Sequence, residues 1–103
     1  QGYSSAQNNL GKMYTDGRGV SQDYKTAVKW YTLSAEQGEA NAQTSLGVMY
    51  ALGRGVIEDI VYAHMWANIA NSNGDDGGKT IMEHLIKKMT PSQIEKAQAF
   101  IAG

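Results

Sequence analysis

Displacing the sequence by 36 positions lays residues 1–35 over 37–71 with fifteen identities in thirty-five. Unrelated segments of ordinary composition agree at roughly one position in fifteen, so the chain is a tandem array. The matches are Gln1/Gln37, Gly2/Gly38, Ala6/Ala42, Gln7/Gln43, Leu10/Leu46, Gly11/Gly47, Met13/Met49 and Tyr14/Tyr50, then "GRGV" at 17–20 and 53–56, Asp23/Asp59, Ala27/Ala63 and Trp30/Trp66. A unit this short cannot bury its own apolar face, so neighbouring units must stack to make a core.

The spacing inside one unit describes two helices. Ala6, Leu10, Met13 and Tyr14 recur at helical period and are expected on one inner face. Gly11 sits mid-helix although glycine costs about 1 kcal/mol there relative to alanine, which predicts a neighbouring helix too close for a side chain. Gly17-Arg18-Gly19 can supply positive φ for a tight reversal, with Val20 as an apolar plug beneath it. Asp23 then suits an N-cap. Ala27, Trp30, Tyr31 and Ser34 are expected on the inner face of the second helix, which Gly38 ends.

"AQNNLGKMYTDGRGVSQDYKTAVKWYTLSAEQG" and "AQTSLGVMYALGRGVIEDIVYAHMWANIANSNG" resemble Sel-like repeats, relatives of the tetratricopeptide repeat. The shared pattern is an Ala, Leu-Gly-x-Met-Tyr, a Gly-x-Gly-Val turn, an Asp before the second helix, an Ala, a Trp and a closing Gln-Gly. The second copy departs at its end, where Asn73-Gly74 replaces Gln-Gly. The resemblance implies an all-α fold, an alpha-alpha superhelix of about six helices in three antiparallel hairpins, with units at 3–38 and 39–74 and a capping hairpin at 75–103. It also implies a non-catalytic scaffold or adaptor that holds a partner protein or peptide. Alternatives are a module for a small molecule or cell-wall glycan, or an accessory regulator or hydrolase; the cysteine-rich members described as hydrolases match poorly a chain without cysteine.

Residues 75–103 keep an apolar stripe at Met82, Leu85 and Ile86 but carry Glu83 where the repeat has glycine. "MTPSQIEKAQAFIAG" places Thr90 as N-cap, Pro91 at the first helical position and Gln93 to complete a capping box, followed by a stripe of Ile94, Ala97, Phe100 and Ile101. Relatives often end in a similar Thr-Pro-x-Gln helix. Between the repeats and this cap lies "GDDGGKT" (74–80), which is not a phosphate loop. The required first glycine falls on Asn73, two aspartates would repel phosphate, and a helix precedes it in place of a strand. Nor is it a calcium loop, since position six counted from Asn71 is Asp76 and position twelve is Met82. It reads as a junction: Gly74 ends one helix and Asp75 or Asp76 starts the next.

Nine Lys/Arg are scattered among ten Asp/Glu for a net charge of −1, so no basic surface points to nucleic acid. The longest apolar-looking run, 60–70, is broken by His64 and Asn68 and is far too short to span a membrane. His64 and His84 have no partner at ligand spacing. No carboxylate pair or nucleophile triad is suggested by local context, and no cofactor is implied. Arg18 and Arg54 recur in the turns and are expected to tie them to backbone carbonyls or to the following Asp cap.

In tetratricopeptide-like stacks the first helices line a concave groove. By that resemblance the face opposite the inner stripe is the expected partner surface: Ser5, Asn8, Lys12 and Thr15, with Asn41, Thr44, Val48 and Ala51 one unit on. Gln1-Gly2 match the residues that close a unit, so the first helix is also expected to expose an apolar strip, covered by self-association or by crystal neighbours. Compartment is left open by the sequence.

Overall fold

A computed structural model describes the backbone of residues 2–102 and the side chains of 3–99. Six helices follow in order, with no strand among the described residues: α1 (Gly2–Asp16), α2 (Tyr24–Glu36), α3 (Ala40–Leu52), α4 (Ile60–Ser72), α5 (Asp76–Ile86) and α6 (Pro91–Ala102). They form an elongated stack of 42 × 25 × 20 Å.

The local chemistry of the two units is duplicated. Gly17, Gly19, Gly53 and Gly55 all adopt positive φ, between 66° and 75°. The reversal lets the Arg18 and Arg54 amides donate to the Met13 and Met49 carbonyls, each at 3.0 Å. Asp23 and Asp59 then cap α2 and α4 by accepting from the Thr26 and Tyr62 amides. The Thr26 hydroxyl also donates to Asp23, at 2.8 Å, and its bond together with that of the amide holds the Asp23 carboxyl below its ordinary range. Gly38 and Gly74 end α2 and α4 in left-handed geometry. Thr90 and Gln93 make the expected reciprocal box, Thr90 N to Gln93 Oε1 at 2.9 Å and Gln93 N to Thr90 Oγ1 at 3.1 Å.

The mid-helix glycines are close-approach points. A Cβ on Gly11 would lie 2.5 Å from the Tyr31 ring, and one on Gly47 3.2 Å from the Ala63 carbonyl. The core that results has two parts. One gathers Ala27, Val28, Tyr31 and Ala35 of α2 with Ala42, Leu46 and Met49 of α3. The other joins Ala63 of α4 to Leu85, Met89 and Ala97.

Burial departs from the sequence reading in three places. Ala6 is exposed, and Leu10 and Met13 are half-buried, although their counterparts Ala42, Leu46 and Met49 are 0%, 1% and 2% exposed. The side of α1 that faces the stack is instead Ser4, Asn8, Gly11 and Thr15. Ile86, expected inside, is exposed. Finally, the last pair of helices is splayed: α6 lies on α4, as α5 does, and its contact with α5 is slight. The reason is local, because Lys87 closes α5 in right-handed geometry where the repeats use left-handed glycine, so the chain does not fold straight back. Phe100 and Ile101 of the predicted α6 stripe have side chains outside the described set.

Candidate interaction surface

Each of the first helices α1 and α3 donates a hydroxyl to the acidic residue that precedes the next first helix, although the donors differ in register. Ser4 Oγ donates to Glu39 Oε1 at 3.3 Å, and Thr44 Oγ1 donates to Asp75 Oδ2. Glu39 and Asp75 are equivalent positions, one repeat apart, immediately before α3 and α5. A second set ties each first helix to the end of its own second helix. Gln37 donates to Gln7 Oε1 at 2.6 Å and Asn73 to Gln43 Oε1 at 2.9 Å. Gln43 also donates from Nε2 to the Ala35 carbonyl at 3.0 Å, which bridges the two units.

These ties redistribute the residues predicted for the partner surface. Asn8 is 4% exposed, and its Oδ1 has no partner among the described residues. Thr15 is half-buried and bonded both to the Gly11 carbonyl at 2.8 Å and to the Tyr31 hydroxyl at 3.1 Å. Burial raises the Tyr31 hydroxyl's pKa, although Thr15 and Ser45 act against that rise. Thr44 is spent on Asp75. Thr15 and Thr44 are thus held by neighbouring groups, and Asn8 is buried. Ser5, Lys12 and Asn41 are exposed. Lys12 borders a cleft of about 440 Å³ with Asn9, Met13, Asp16 and Arg18.

Val48 and Ala51 come together in one place. With Leu52 of α3 and Thr80, Ile81, His84 and Leu85 of α5 they line a groove of about 270 Å³. Leu52 is 55% exposed beside it. The α5 half was missed because the surface pattern was carried no further than the second unit. Adding 36 to Thr44 and Val48 gives 80 and 84, Thr80 and His84, both in the groove.

The turn arginines do not tie down their own turns as expected. Arg18 approaches Asp16 at 3.9 Å with both side chains in solvent. Arg54 lies over the Tyr24 ring, 5.3 Å from its centroid, so it reaches the preceding unit. His64 is buried in α4 with Nδ1 unpaired among the described residues, and burial lowers its pKa. Among the described residues no group of three His, Cys, Asp or Glu could hold a metal ion, and no helix is long and apolar enough to cross a membrane.

Paired helices that meet at glycines, cap alike and repeat the tie between each first helix and the end of its second define a class: the α-α repeat stacks. Within it, the family model described as "Sel1 repeat" matches residues 4–39 and 40–75, and the chain belongs to that family. Such repeats are helical modules that generally mediate protein interactions. The crystal structure of c5321, a protective antigen present in uropathogenic Escherichia coli strains and displaying an SLR fold, is similar with a TM-score of 0.91 and 36% identity, over 94% of this chain and 21% of that one. A Sel1 repeat protein from Oxalobacter formigenes is similar with a TM-score of 0.77 and 35% identity, over 80% of this chain and 34% of that one. This chain therefore spans about a fifth and a third of those two proteins. No curated protein matches it significantly.

Proposed function

We propose that this chain is a non-catalytic interaction module, and that the α3–α5 groove receives an apolar side chain of a partner protein or extended peptide. The observation that carries this reading is the groove itself: seven residues from two helices, with Val48, Leu52 and Ile81 among them, present an almost wholly apolar surface. A site of this kind anchors an apolar side chain by burial. Ser5, Lys12 and Asn41 are exposed on α1 and α3 and extend the surface with hydrogen-bonding groups. Among the described residues of the groove the one hydroxyl, that of Thr80, donates to the Asp76 carbonyl at 3.4 Å rather than to His84, which favours binding over catalysis.

The test is selection from a displayed random-peptide library with the wild-type chain and with a Val48→Asp/Leu52→Asp variant. The expected outcome is a recurring apolar anchor among selected peptides and loss of their binding to the variant, with helical circular dichroism unchanged. Peptides that bind both proteins equally, or no enrichment at all, would overturn the assignment.

A further inference from the structure

The two units close at equivalent positions with different residues. Gln37-Gly38 ends the first and Asn73-Gly74 the second, and no other asparagine of the chain precedes a glycine. Both side-chain amides hold the same tie: Gln37 Nε2 donates to Gln7 Oε1 at 2.6 Å, and Asn73 Nδ2 donates to Gln43 Oε1 at 2.9 Å. They differ in what the next backbone nitrogen can do to them. From an asparagine, that nitrogen closes a five-membered ring on the side-chain carbonyl carbon. From a glutamine the ring would have six members and forms far more slowly. Glycine leaves the attacking nitrogen unshielded, because it carries no Cβ.

The end of α4 leaves this pair accessible. Ser72, Asn73 and Gly74 are exposed, Gly74 has a φ of 101°, and a Cβ built on it would meet nothing within 4 Å. The Gly74 amide donates to the Asn71 carbonyl at 3.1 Å and must leave it before the nitrogen can react. That bond belongs to the last turn of a helix, where opening costs least. The fold therefore slows the reaction without blocking it.

We propose that Asn73 is a site of spontaneous modification, at which the Gly74 nitrogen converts the side-chain amide into a carboxylate and cuts the tie between α3 and the end of α4. Solvent base takes the Gly74 N–H proton, and the nitrogen attacks Asn73 Cγ. The new N–Cγ bond forms, the bond from Cγ to Nδ2 breaks, and Nδ2 leaves as ammonia with a proton from water. Water then opens the succinimide. Cleavage at Cγ gives aspartate, and cleavage at the main-chain carbonyl gives isoaspartate, whose backbone runs through the former side chain. Neither product has an amide hydrogen to donate from the side chain. The oxygen of Gln43, a residue 3% exposed, then loses that donor and faces a carboxylate. Turning the Gln43 amide over would relieve this only by breaking its bond to the Ala35 carbonyl, which bridges the units. Isoaspartate also lengthens the main chain just before Asp75, which accepts from Thr44 and caps α5 through the Gly77 amide.

The experiment incubates the folded chain at mildly alkaline pH for several weeks, beside the same chain in urea. Peptides are then mapped by mass and by methyl labelling with an isoaspartate methyltransferase. The expected result is the mass gain of amide to carboxylate in the peptide holding residues 73–74, slower in the folded chain than in urea, with isoaspartate label at that site. Asn73→Gln, which copies the first unit, should remove both signals. Asn73→Asp, which copies one product, should speed amide exchange at Gly74 and Asp75 about two- to tenfold relative to Asn73→Gln, the worth of one hydrogen bond. The proposal is overturned if the folded chain keeps its Asn73 amide, if Gln37 or another asparagine converts first, or if the two variants exchange alike.

Discussion

Helices α1 and α3 carry the same inner residues at the same spacing, yet Leu46 is 1% exposed and Leu10 is half-buried. The turns that follow them differ in the same sense, since Gly55 is pressed on the backbone of α2 and Gly19 touches only its own helix. The difference teaches that a repeat residue has no fixed energetic worth. Its contribution is set by whether a neighbouring unit arrives, because burial and close packing are properties of the pair.

That comparison can be broken most directly at the leucines. Leu46→Ala removes a fully covered side chain and should cost about 2–5 kcal/mol in urea unfolding, whereas Leu10→Ala should cost under about 1 kcal/mol. Equal losses would mean that α1 is covered after all. The turn glycines come next. Gly19→Ala carries only the left-handed strain, about 1 kcal/mol, while Gly55→Ala adds a collision with the Tyr24 carbonyl and should lose about 2–3 kcal/mol.

A third difference appears with pH. His64 occupies the position of Val28, and burial lowers the folded imidazole's pKa with no charged neighbour contributing. The unfolded chain therefore takes up the proton first. Stability is complete above the unfolded value of about 6.5 and declines as pH falls below it toward the folded value. Thermal melts from pH 7.5 to 5 should show this decline, and His64→Val, which copies the first unit, should flatten it. The smallest effect belongs to the arginines: Arg54→Ala should lose about 0.5–1 kcal/mol through the Tyr24 ring, and Arg18→Ala should be silent.

Much of this molecule was legible in its sequence because much of it is local. The caps at Asp23, Asp59 and Thr90 depend on atoms three residues away, and the left-handed glycines on their own torsions. The glycines at 11 and 47 announced close helix approach because nothing else justifies them mid-helix. The candidate surface was harder. Asn8 and Thr44 were placed on an outer face, but Asn8 is buried and Thr44 bonds Asp75, and one polar residue cannot reveal whether it looks at water or at a neighbouring carboxylate. His84 and Ile81 of the groove were left out because the surface pattern was carried no further than the second unit, although Glu83 already marked the register of α5.

By itself the sequence determined the period, the turns, the caps and the points of contact, all of which follow from short-range sterics and hydrogen bonds. Tertiary structure alone decided which copy of each apolar stripe is covered, that α6 lies on α4, and that Val48 meets His84 across a groove. Those outcomes depend on how whole helices share limited neighbouring surface, and residues 36 apart with the same identity have no way to encode different neighbours.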